Sequence, residues 1–536
     1  MRKRLAIISL ILVFILVGIV STGCGQTTEK QDNTTAQSTV ANTDEAQATQ
    51  KELTPLKMSY MSWDGTPINA NTPVQGMIEA KLKEKLGFDV SFELIDVTFE
   101  AYEEKMNLLV SSGSTPDVFW VGQRMDKFID QDAVAGIDMK TFEENCPNLV
   151  AYINGCDEKL WDNNKKGDKY YGLPYPWFQG MYPRGMGWRT DLLQKAGVAK
   201  IPETLDEMEA AFKAVKETLK IAGVSAYGKD GDRNFNSIFG AFGILPNMWN
   251  LKDGKVVWGA VQPECREALT VLNKWYKEGY VLKDWAITDQ TSAYNALFNG
   301  TVVLNDDIPW IRLYDGPDAD PANFPPQARA INPDAKIEFG TAPKGPDGKF
   351  GQLAFGYAIN SHYFGAQLEQ DSEKLSKVLK VLDALGTDEE MFLLAQFGTE
   401  GTDWKKDDKG VITRLGDSVA PEGQAKIGNT GYFRLMALDN GDLYKKNMFS
   451  AEFNVYLDKF LSGVNRWMPA INVSLGEPEK MYKADLDKLV FVNYVKFING
   501  QKSIDDFDKF VKEWYDKGGT ELEKAANDAY QQYQGK

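Results

Sequence analysis

Apolar and polar residues alternate through Leu56-Lys57-Met58-Ser59-Tyr60-Met61-Ser62-Trp63, a pattern that predicts a strand ending in the polar loop Asp64-Gly65-Thr66-Pro67. Residues 75–86 carry apolar positions at helical spacing and stop at Gly87, and residues 89–95 alternate again as a second strand. Another amphipathic helix over 99–110 leads through Ser112-Gly113-Ser114-Thr115-Pro116-Asp117 into the apolar run Val118-Phe119-Trp120. The order β, α, β, α, β predicts an α/β fold with a parallel sheet covered on both faces, which places ligands beyond the carboxyl ends of its strands.

The second half repeats this style at lower contrast. Thr204-Leu205-Asp206-Glu207 has the spacing of a capping box, with Pro202 just upstream and an amphipathic run to about residue 219 downstream. Helices are predicted at 263–279, 290–300, 369–386 and 388–397, with several more towards the C-terminus. No repeat of about 20–50 residues is visible, which excludes a solenoid.

The first 53 residues follow different rules. Met1-Arg2-Lys3-Arg4 is basic, residues 5–20 are almost wholly aliphatic, and small residues then lead into Cys24, so 1–23 reads as a signal peptide. The apolar run is shorter than the ~20 residues of a spanning helix. Ser21-Thr22-Gly23-Cys24 resembles the bacterial lipobox, whose cysteine is lipidated and becomes the mature N-terminus, with Ser21 where that motif usually has an aliphatic residue. Residues 24–53 are rich in Thr, Gln, Asn, Ala and Ser and bury too little to fold, which makes them a disordered tether of roughly 30 Å root-mean-square span. These features predict an extracytoplasmic protein held to the outer face of a bacterial cell membrane by lipid on Cys24.

Charge and cysteine count narrow the class. With 76 acidic against 60 basic residues the net charge is −16, and no basic stripe lies outside the signal peptide, so nucleic acid is not a partner. Once Cys24 is lipidated, Cys146, Cys156 and Cys265 remain, and at least one is unpaired. Cys146 and Cys156 are near enough in sequence to bridge, but the sequence leaves that pairing open.

The segment 112–120 resembles the small-G-x-x-P-D-hydrophobic stretch of extracellular solute-binding proteins of carbohydrate ABC importers, the large LplA-like lipoproteins among them. Tyr171-Gly172-Leu173-Pro174-Tyr175, then Gly187-Trp188-Arg189-Thr190-Asp191-Leu192-Leu193 and Ile201-Pro202-Glu203-Thr204-Leu205, resemble that family's passage from first to second lobe. Ala296-Leu297-Phe298-Asn299-Gly300, Ile308-Pro309-Trp310, Phe397-Gly398-Thr399-Glu400-Gly401-Thr402-Asp403-Trp404 and Phe497-Ile498-Asn499-Gly500 resemble later family segments in the family's order. The resemblance implies two doubly wound α/β lobes joined by a hinge crossed three times, near Gly172, Gly351 and Gly401. Lobe 1 is then 54–172 with 351–401, and lobe 2 is 173–350 with 402–536. It also implies a monomer without cofactor that delivers a sugar or oligosaccharide to the membrane subunits of an ABC importer.

A neutral sugar needs aromatic planes for its C–H faces and planar polar groups for its hydroxyls. By resemblance to the maltodextrin-binding proteins, Trp120 and Trp310 correspond to stacking tryptophans from opposite lobes, and Arg124 to a polar partner; Gln123 stands where that group commonly has a carboxylate. Further candidates are Trp63 and Asp64 at the end of the first strand, Trp177 past the first crossing, Trp404 in the third, and Asp306 and Asp307 beside Trp310. Trp188 and Arg189 read as structural, with Arg189 and Asp191 tying a turn. Asp230, Asp232, Asn234 and Asn236 have the alternate spacing of a calcium loop. Phe235 and Ala241, however, replace its glycine and glutamate, so an ordinary turn without metal is the reading adopted.

Two other classes remain open. A surface glycoside hydrolase needs only two suitably spaced carboxyl groups, which abundant Asp and Glu can supply. A peptide-binding lipoprotein is the other, while a lone histidine, His362, leaves little room for a multi-histidine metal site or a Ser-His-Asp triad.

Overall fold

Leu56–Ser62 is an interior strand, second in a five-stranded sheet. The computed structural model describes residues 54–62, 71–98, 101–121, 126–229, 234–316, 319–357, 361–408, 410–429, 431–438, 440–462, 465–471 and 473–534. Leu56–Ser62 pairs in parallel with Val90–Asp96 on one side and Val118–Val121 on the other. Ser361–Phe364 adds antiparallel to Val118–Val121, and Leu173–Pro174 forms the far edge. A central strand needs cover on both faces, so its alternation gives way to continuous burial at Tyr60, Met61 and Ser62.

The first crossover helix, Pro73–Leu86, begins two residues before the expected start because its cap lies upstream. The Thr72 hydroxyl accepts the Gln75 N–H at 3.4 Å, and Pro73 occupies a first-turn position where no N–H is required. Gly87, at φ 77°, ends the helix and donates to the Lys83 carbonyl. Asp117 of the Pro116-Asp117 motif is a sheet fastener: its carboxylate accepts the Ser59 N–H at 2.8 Å and pairs with Lys374 at 2.7 Å. Its own N–H donates to the Ser59 hydroxyl.

The second sheet has the order Ile337–Gly340, Arg184–Arg189, Val302–Pro309, Ala222–Ser225, with the last two parallel and the others antiparallel. Thr204 caps the helix Leu205–Leu219 through the Glu207 N–H, while the Glu207 carboxylate reaches the Glu203 N–H instead of closing a full capping box. Arg189 and Asp191 are both buried and joined by two hydrogen bonds of 2.8 and 2.9 Å, and the guanidinium also donates to the Leu297 and Phe298 carbonyls. The Trp188-Arg189 segment is structural, as its sequence suggests. Pro263–Lys277, Gln290–Phe298, Ser372–Thr387 and Glu389–Phe397 are helices close to their expected limits.

Each sheet anchors its own large core, and the chain passes between them in three segments that lie side by side. Gln352–Leu353 pairs in parallel with Arg466–Trp467, and the Phe355 and Gly356 N–H groups both donate to the Gly180 carbonyl at 3.0 Å. A Cβ on Gly180 would stand 2.3 Å from the Gly356 carbonyl oxygen, so this approach requires glycine. The sequence puts the passages near Gly172, Gly351 and Gly401, and the third differs most from the segments that meet.

Residues 402–462, assigned from sequence to the second lobe, pack on the first sheet. The Tyr432 hydroxyl donates to Asp96 at 2.8 Å, Phe433 meets Phe92 edge-on at 5.3 Å, and Tyr444 lies 5.2 Å from Phe178. The cause is the apolar faces of these helices: Leu435, Met436, Leu438, Phe453 and Leu457 complete the core begun by Val74, Ile78 and Phe92. The open question about cysteines also resolves. Cys146, Cys156 and Cys265 are all free thiols, with Cys146 turned to the Phe142 carbonyl at 3.2 Å.

Candidate functional site

The parallel strands of the first sheet end at Ser62, Asp96 and Val121, and those of the second at Ser225 and Pro309. These carboxyl edges are where a doubly wound sheet presents loops to a ligand. Trp63, Asp64, Arg124, Asp230 and Asp232 lie outside the described residues. So does Cys24. Among the described residues no helix is long and apolar enough to cross a membrane, and no cluster of three or more His, Cys, Asp or Glu side chains forms a metal cage.

The two expected stacking planes are enclosed. Trp120 is 5% exposed and leans on Tyr175 at 5.5 Å; its strand neighbour His362 is wholly buried, and burial pushes that imidazole down to about 3. Trp310 is 3% exposed, with Tyr182 4.4 Å away on one side and Phe449, Phe453 and Phe460 packed around it. Its indole N–H donates to the Gln179 carbonyl at 3.3 Å, and the Tyr456 hydroxyl donates to its backbone carbonyl. Trp404, also 3% exposed, packs by Phe397 and donates to the Gly398 carbonyl, so in this arrangement it holds the 404–406 hairpin and presents no open face. Trp177 is partly buried, 6.0 Å from Phe355 where the passages meet.

Asp306 and Asp307 also turn inward. They occupy an irregularity between Asn305 and Ile308 in the strand Val302–Pro309, which sends the two carboxylates to different partners. Asp307 receives two hydrogen bonds from Arg184, of 2.7 and 3.2 Å; burial raises its carboxyl and the guanidinium works against that shift. Asp306 is 3% exposed, accepts the Ser237 N–H at 3.3 Å and that of Phe235, and is pushed up to about 7 by burial. Phe235 holds the left-handed conformation, φ 62°, at the position where a calcium loop would carry glycine. Asn234 accepts the Tyr227 N–H at 2.7 Å and Asn236 begins a short helix. Asp306 therefore pins a strained turn and is shielded from solvent sugars.

Two cavities lie near the lobe edges. One, of about 570 Å³, has walls from both cores: Asp130, Asp162, Asn164, Lys165, Lys166 and Tyr171 on one side, and Val473, Ser474, Gly476, Lys480 and Gln532 on the other. Lys480 crosses it to Asp130 at 2.5 Å, and Lys166 reaches the same carboxylate at 3.2 Å; the two ammonium groups hold that carboxyl below its usual value. The Asn164 amide is fixed by the Ser361 hydroxyl at 2.8 Å. The other cavity, about 390 Å³, opens at the carboxyl edge of the second sheet and includes Arg184, Gln290, Tyr294, Asn295, Arg312 and Gln327. None of the polar groups lining either cavity was singled out from sequence. The one usable signal is that adjacent Asp306 and Asp307 in an apolar strand demand a buried cation, which is Arg184.

Residues 76–311 match the family of bacterial extracellular solute-binding proteins. The chain thus carries a match to this family over a little under half of its length. It is 25% identical over 455 residues to the lipoprotein LipO of Bacillus subtilis (strain 168), which covers 80% of this chain and 84% of LipO. It is 24% identical over 451 residues to the polygalacturonan/rhamnogalacturonan-binding protein YtcQ of the same strain, covering 80% and 83%. Among solved structures, alginate-binding protein AlgQ2 without calcium ion superimposes with a TM-score of 0.64 at 18% identity, covering 90% of this chain and 99% of AlgQ2. The solute-binding fold of two α/β lobes, implied by sequence motifs, is thus the observed one.

Proposed function

We propose that the protein captures a sugar or oligosaccharide outside a bacterial cell and hands it to the membrane subunits of an ABC importer, while lipid on Cys24 holds it at the membrane. The observation that carries this reading is a cavity with walls from both lobes, residues 129–171 on one side and 473–532 on the other. A ligand bound there touches both lobes at once, so it favours the closed form by its differential affinity, and an importer recognises closure. The cavity's mixture of amide, carboxylate, ammonium and the Tyr171 ring suits a polyhydroxylated ligand. The family match and the likeness to a polygalacturonan/rhamnogalacturonan-binding protein and an alginate-binding protein support binding over hydrolysis.

The test combines a glycan panel with analysis of the ligand afterwards. A true ligand at a hundred times its Kd should stabilise the fold by about 2.7 kcal/mol and be recovered intact. Cleaved saccharide would make the protein a hydrolase, and a flat melting response across the panel would remove sugars as ligands. Mass spectrometry of protein from its host should show a diacylglyceryl group on Cys24; an unmodified N-terminus would reject the anchor.

A further inference from the structure

Asp130 and Lys480 meet across the 570 Å³ cavity from elements rooted in different cores. Asp130 ends the short helix Asp126–Asp130, whose Phe128 and Ile129 pack with Met61 and Phe119 of the first sheet. Lys480 stands in the first turn of the helix Glu477–Ile498, whose Leu486 and Val490 are buried with Leu272 and Trp275 in the second core. Their ion pair, at 2.5 Å, is therefore a contact between lobes, and both side chains are 43% exposed, within reach of dissolved ions.

Each partner also has a second partner on its own lobe. Lys166, on a hairpin that pairs with Ile137 through Tyr170, reaches Asp130 at 3.2 Å, and Glu477 reaches Lys480 at 3.3 Å. Parting the lobes thus breaks one ion pair and strands neither charge. The buried Arg184–Asp307 pair is the opposite case, where loss of one partner leaves the other uncompensated. A contact with such fallback partners biases an equilibrium and releases readily.

We infer that Asp130 and Lys480 form an ionic latch that favours the approached lobes in the ligand-free protein and that salt loosens. An exposed ion pair shifts such an equilibrium by up to about fivefold, enough to keep the cavity partly assembled before a ligand arrives and too little to hold it shut. The consequence for capture rests on the receptor reading, but the latch itself acts without ligand.

The experiment is small-angle scattering on the ligand-free protein at low and high salt, for wild type, Lys480→Gln, Asp130→Asn and the double variant. Both residues line the cavity, so ligand affinity would mix the latch with direct contacts, and the ligand-free protein separates the two. Wild type should expand as salt rises, because screening weakens the pair. Each single variant should already be expanded at low salt, and the double variant should expand no further than either single one, as residues acting through one pair require. A wild-type radius of gyration that ignores salt overturns the latch, as do variants with the wild-type radius or a double variant whose expansion is the sum of the two. Should a variant prove unstable, the wild-type salt series decides alone. A glycan response in melting with a salt-blind ligand-free protein removes the latch and keeps the receptor. Salt-dependent, non-additive opening with no response to any glycan keeps the latch and removes the sugar reading.

Discussion

Replacing Trp310 with alanine is expected to cost about 3–5 kcal/mol of folding stability, the range for removing a buried tryptophan from a packed core. The ring fills the space between Tyr182 and the aromatic helix Ala451–Ser462, and its removal leaves Phe449, Phe453 and Phe460 facing a void. That helix also touches the second sheet through Phe460 and Phe339, 4.1 Å apart, so the loss falls on the joint between the cores. Denaturant unfolding of purified variant and wild type measures the difference. A variant as stable as wild type but defective in sugar binding would show instead that Trp310 swings out as a stacking plane.

Asp306 should give the second large effect, and it should be visible in pH as well as in mutation. Its folded pKa of about 7 lies above the ~3.9 of an unfolded aspartate, so the folded state binds the proton more tightly. Its contribution therefore makes stability fall as pH rises from about 4 through 7 and level off above. Asp306→Asn keeps an acceptor for the Phe235 and Ser237 N–H groups and should flatten that slope. Asp306→Leu leaves both donors buried without a partner and releases the left-handed Phe235, at a cost of about 2–4 kcal/mol. Melting curves of the three proteins between pH 4 and 8 decide the matter; parallel wild-type and Asp306→Asn profiles would show that another group titrates.

Local signals carried much of the fold. The alternation of 56–62, the Gly87 stop, the Thr204 cap and the Arg189-Asp191 pair each depend on residues within a few positions, and each is seen where its pattern points. Long-range packing was not legible. The helices of 402–462 have apolar faces that fit either core, and only the assembled structure shows Tyr432 on Asp96. The same limit governs the candidate site. Pro309-Trp310 reads as an open platform until a helix some 140 residues later covers it, a contact with no local signature. Arg312 and Tyr294 carry no motif, and their proximity comes from a helix and a strand end meeting at one sheet edge.

Small-angle scattering with and without a saturating oligosaccharide from the panel tests the receptor most directly. Two lobes joined by three chain passages and by the Phe460–Phe339 contact, closing on a bridging ligand, predict a smaller radius of gyration in the bound state. The same radius in both states, with calorimetry confirming a fully occupied site, would contradict closure and leave a rigid binding protein.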